Sequence, residues 1–91
     1  MRVWLNRSHI KPVVSPEFQT LLGQSNIFDY GRSNSHILYL IDRCPPKRFL
    51  VSGDIVVIEI PDNTPYWRVR DVGVGEICEY VDPVTLEIKE V

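Results

Sequence analysis

Little in this 91-residue chain announces chemistry. There are two cysteines (Cys44, Cys78), two histidines (His9, His36) and one methionine. Neither cysteine has a CxxC partner or a histidine at ligand spacing, so the pattern excludes a zinc site of the usual spacing. With so few cysteines the chain is not a disulfide scaffold; the pair is read either as two free thiols or as one bridge, should folding bring them together. No apolar run nears the ~20 residues needed to span a bilayer. The longest, Ile55-Val56-Val57-Ile58, stops at Glu59. The start, Met1-Arg2-Val3-Trp4-Leu5, runs straight into Asn6, Arg7, Ser8 and His9 without an apolar core or small-residue cleavage site. A non-secreted, cytoplasmic protein with no membrane contact is therefore expected.

Catalytic signatures are equally sparse. Ser35 next to His36 makes no dyad, because neighbouring strand residues point to opposite faces. Val72-Gly73-Val74-Gly75-Glu76 lacks the third glycine and the helix of a phosphate loop, so it reads as a hairpin turn. Glu76 with Glu79, and Glu87 with Glu90, read as solvated strand edges rather than acid–base pairs. No cofactor, metal or enzymatic activity is expected.

What is present is a globular balance of 44% hydrophobic and 24% charged residues. Ninety-one residues suit one domain, here taken as 1–91. The net charge of −2 conceals a division. Residues 1–50 carry seven basic and three acidic side chains, a net of +4, and residues 51–91 three basic and nine acidic, a net of −6. Such asymmetry fits either a charged partner or mutual attraction of the two halves.

Along the chain, residues 2–5 suggest a strand. Ser15-Pro16-Glu17 starts a helix with serine as cap and proline at the first position, Phe18, Leu21 and Leu22 give it an apolar face, and Gly23 ends it. Ile27, Phe28 and Tyr30 pin a following loop to the core. Residues 36–41, rich in β-branched and aromatic side chains, predict another strand, stopped by Cys44-Pro45-Pro46. Four strands then follow at 54–60, 66–72, 76–81 and 85–89, divided by Pro, Gly and Asp turns. The expected fold is α+β, mostly β: a small antiparallel meander with one short N-terminal helix. Alternation puts Trp67, Val69, Leu86, Ile88 and part of the 55–60 run on the core side.

Leu50-Val51-Ser52-Gly53-Asp54-Ile55-Val56-Val57-Ile58 resembles the first strand of SH3-like small β-barrels, in which a glycine–acid turn leads into an apolar strand followed by short hairpins. The similarity spans 50–91 and implies a barrel. It implies no function, because such barrels serve many, and the acidic, aromatic-rich loop of proline-peptide-binding SH3 domains is missing.

The remaining signal is a basic–aromatic set. Tyr66, Arg68 and Arg70 alternate on one strand face, and Arg43, Lys47 and Arg48 flank the Pro45-Pro46 turn. Tyrosine and arginine are enriched in protein interfaces. They also stack on bases and contact phosphates. The third reading is a solvated face whose arginines pair with glutamates on the next strand. The expectation is a non-enzymatic module binding another protein through these six residues. Nucleic acid is the alternative, and the acidic balance weighs against it.

Overall fold

The computed structural model describes residues 1–23, 27–29, 31–43 and 49–91. It is mostly β, with seven strands and two α-helices among those residues. Strands β1 (Arg2–Asn6) and β2 (Val13–Val14) precede helix α1 (Pro16–Leu22), a 3₁₀ turn (Ile27–Asp29) and helix α2 (Ser35–Arg43). Strands β3 (Leu50–Ser52), β4 (Ile55–Glu59), β5 (Trp67–Asp71), β6 (Glu76–Val81) and β7 (Ile88–Glu90) follow. The strands pair antiparallel as β1–β4, β2–β3 and β5–β6–β7.

The expected four-strand meander is thus shorter than the sequence suggested. β4 turns away from β5 and pairs with β1, Arg2 opposite Glu59 through Asn6 opposite Ile55. The reason lies in side chains apolar on both faces of the ribbon. Trp4 and Ile55 belong to one buried cluster with Val14, Phe18, Leu22, Ile27, Ile37, Leu38, Leu40, Phe49 and Leu50, and Val57 packs against it. Val3 and Leu5 join Ile60 and Cys78 in a second cluster, against which Val56, Ile58, Trp67, Val69 and Tyr80 pack. The ribbon therefore separates a helical layer from the β5–β6–β7 sheet. Strands covered on both faces read as continuous apolar runs, as Val3-Trp4-Leu5 and Ile55-Val56-Val57-Ile58 do.

Helix α1 spans the expected residues: Ser15 takes the N-cap position but makes no side-chain capping hydrogen bond, Pro16 follows at the first helical position, and Gly23 ends the helix at φ 77°, its N–H donating to Gln19 O at 2.9 Å. Phe18 and Leu22 are buried, whereas Leu21 is exposed, so the apolar face is narrower than expected. Residues 36–41 form helix α2 rather than a strand. The decisive group is Asn34, whose side-chain oxygen accepts the N–H groups of His36 and Ile37 while its carbonyl accepts that of Leu38. That cap starts the helix. Ile37, Leu38, Leu40 and Ile41 then fall on one face, at helical spacing.

The last strand is displaced as well. The Asp82 carboxylate accepts the N–H groups of Val84 and Thr85, and its carbonyl accepts that of Leu86. The turn consumes residues through Leu86, which sits at φ 62°, and β7 starts only at Ile88. Leu86 and Ile88 consequently face outward, not into the core. Trp67 and Val69 do face inward, half-buried against the second cluster.

Candidate functional site

Register places the sequence-derived candidates on β5. Trp67 lies opposite Tyr80 and Val69 opposite Cys78, which turns Arg68 and Arg70 to the outer face across from Glu79 and Ile77. Tyr66 precedes the strand and is 58% exposed. Its carbonyl accepts the N–H of Val81 at 3.0 Å. Val81 is in turn opposite Ile88, so Tyr66, Val81 and Ile88 form an apolar row across all three strands. These residues, with Arg68, Glu79 and Tyr80, line a shallow depression of about 80 Å³.

The neighbouring row is ionic. Glu79 Oε1 accepts Arg68 Nε at 2.9 Å and lies 3.0 Å from Arg70 Nε, and Arg70 also reaches Glu90 at 3.5 Å. Two guanidinium groups therefore face two carboxylates, and the patch is close to electroneutral. Glu79 is the shielded member, its side chain only 14% exposed, while both arginines are about half exposed. Exposed pairs of this kind add about 0–1 kcal/mol.

The other candidates lie elsewhere. Arg43 ends α2 with its guanidinium 5.0 Å from the centre of the Tyr39 ring, on a helix that packs in the first cluster, away from β5. Lys47 and Arg48 fall outside the described residues, as do Cys44, Pro45, Pro46 and Tyr30.

Sequence reasoning missed the most enclosed ion pair among the described residues. Arg32 makes a two-pronged contact with Glu76 at 2.6 and 2.7 Å, and Glu76 Oε1 also accepts the Asn6 N–H at 2.7 Å. The guanidinium lies over the Trp4 ring at 4.1 Å and faces Phe28 at 5.0 Å. Glu76 is thus a pinned internal partner rather than a solvated strand-edge acid. The charge division between the halves was the available signal, since the pair joins a basic residue of the first half to an acid of the second.

Cys78 is buried, and that burial raises its thiol above the ordinary value, which keeps it protonated and a poor nucleophile at neutral pH. The His36 ring contacts the Leu21 carbonyl at 3.3 Å. Among the described residues no cluster of His, Cys, Asp or Glu is arranged to hold a metal, and no helix is long and apolar enough to cross a membrane. No protein-family model, curated protein or solved structure matches the chain.

Proposed function

We propose that the protein is a non-enzymatic interaction module of the cytoplasm that binds another protein through the outer face of β5–β6–β7. The observation that carries this reading is the apolar row of exposed Tyr66, half-buried Val81 and exposed Ile88 beside the paired Arg68, Arg70 and Glu79. An aromatic ring flanked by arginine is the composition that protein interfaces concentrate. The internal neutralisation of both arginines favours a protein over a polyanion, because affinity for phosphates comes from cations free to replace counterions.

Affinity capture from a native cell extract tests the reading, with and without nuclease, using wild type and Tyr66→Ala/Arg68→Ala. Both side chains are exposed, so the variant should melt within about 1 kcal/mol of wild type. Protein capture that survives nuclease and is lost in the variant is expected. Nuclease-sensitive capture, or capture that the variant retains in full, overturns it.

A further inference from the structure

Strand β7 ends the β5–β6–β7 sheet, so one of its edges has no strand beside it among the described residues. The direction of its main-chain groups follows from the hydrogen bonds. Val91 and Cys78 exchange N–H···O bonds of 2.9 and 3.1 Å, and Asp82 N–H donates to Glu87 O at 2.9 Å. Residues 87, 89 and 91 therefore turn their main chain toward β6. By antiparallel alternation the N–H and C=O of Ile88 and Glu90 turn toward the open edge. In the turn that leads into the strand stand Val84 and Leu86, and on the strand itself Ile88, which are 87%, 70% and 72% exposed. Three aliphatic side chains this bare within five residues are costly in water, and an unpaired strand next to them is a template for another strand.

We propose that this edge pairs with itself: β7 of one copy lies antiparallel to β7 of a second copy about a twofold axis at Ile88. The charges select this occupant and this register. With Ile88 opposite Ile88 of the second copy, Glu87 falls opposite Lys89 of the second copy, and the relation repeats by symmetry. The segment Glu87-Ile88-Lys89 is its own electrostatic complement, and Lys89, whose Nζ also lies 3.1 Å from Asp82 of its own chain, would be shared between the two carboxylates. Centring the pair on Lys89 or on Glu90 sets like charges opposite each other, which is unfavourable in a strand pair. The Ile88-centred register also uses the outward main-chain groups of Ile88 for two reciprocal hydrogen bonds, and it brings the two Ile88 side chains together on the outer face. The two three-stranded sheets become one continuous sheet. The interface is isologous and closes at two copies. The inference concerns the sheet edge and does not rest on the proposed use of the outer face.

Sedimentation velocity over a concentration series tests it with five samples: wild type, Glu87→Lys, Lys89→Glu, these two variants mixed in equal amounts, and Ile88→Pro. Wild type is expected to associate to two copies and no further. Each charge variant sets like charges opposite twice and should raise the dissociation constant roughly tenfold or more. The mixture restores opposite charges across the pair and should regain the dimer. Ile88→Pro removes the outward N–H without touching the β6 ladder, so it should abolish association while leaving the melting midpoint close to wild type. A wild-type chain that stays monomeric throughout the series overturns the proposal. So does a dimer that the charge variants leave unchanged, or a mixture that associates no better than its components.

Discussion

At the scale of single residues, the arrangement around Glu76 carries most consequence. Its carboxylate satisfies Arg32 and the Asn6 main chain together, and its side chain is only 12% exposed. Removing one member of a shielded pair leaves the other desolvated and unmatched. Glu76→Ala should therefore cost roughly 3 kcal/mol in denaturant unfolding, whereas Glu59→Ala, on an exposed side chain, should cost less than about 0.5 kcal/mol. Equal effects would mean that the Arg32–Glu76 contact is not a structural tie. The adjacent glycine is constrained by the same junction. Gly75 sits at φ 142°, and a Cβ there would meet the Arg7 carbonyl carbon at 2.7 Å, so the loop between β5 and β6 is pressed onto the segment after β1.

At the scale of elements, the turn between β6 and β7 is governed by Asp82. Two backbone N–H groups and Lys89 hold its carboxyl well below the ordinary 3.8, at about 2. A carboxyl depressed by the folded state contributes stability above its unfolded value and loses it as pH falls through the folded one. The turn should therefore keep its full stability above about pH 4 and lose the Asp82 contribution as the pH drops toward 2. A carbon-detected NMR titration of the Asp82 carboxyl should show a midpoint near 2; a midpoint near 3.8 would mean that these bonds do not form in solution.

The same turn shows what could and could not be read from sequence. Its existence was legible in Asp82-Pro83, but its length was not. The extra residues depend on three hydrogen bonds to one aspartate, and that shift reversed the assignment of Leu86 and Ile88. Helix α1 was legible because its start and stop are local, in Ser15-Pro16 and Gly23. Helix α2 was misread because Ile37, Tyr39 and Ile41 favour strands by type, while the Asn34 cap and the helical spacing of Ile37, Leu40 and Ile41 outweigh that preference. On the candidate face, the outward direction of Tyr66, Arg68 and Arg70 followed from alternation alone. The convergence of Arg68 and Arg70 on Glu79 is a matter of register between strands, which no single segment encodes.

At the scale of the whole molecule, the two buried clusters rank the tryptophans. Trp4 is fully buried in the first cluster and donates its indole N–H to the Gly31 carbonyl at 3.1 Å. Trp67 is half-buried at the margin of the second. Trp4→Ala should cost about 3–5 kcal/mol, enough to unfold a chain of this size, and Trp67→Ala clearly less. Chemical denaturation of both variants decides the order. A Trp67 variant as damaged as the Trp4 variant would place the main core on the sheet side of the ribbon.

The pairing of β1 with β4 also has a meaning in time. A chain is made from its N-terminal end at about 5–20 residues per second. Val3-Trp4-Leu5 is therefore synthesised several seconds before Ile55–Glu59, the strand it must meet. During that interval no later residue can cover it from the β4 side, and the closure it awaits spans more than half the chain, which slows folding further. Newborn copies at this stage present the same apolar strand to one another and to the cell. For this protein exposure of that strand thus weighs on the unfinished chain, and a chaperone that shields residues 3–5 until residues 55–59 have emerged is expected to raise the yield of folded protein.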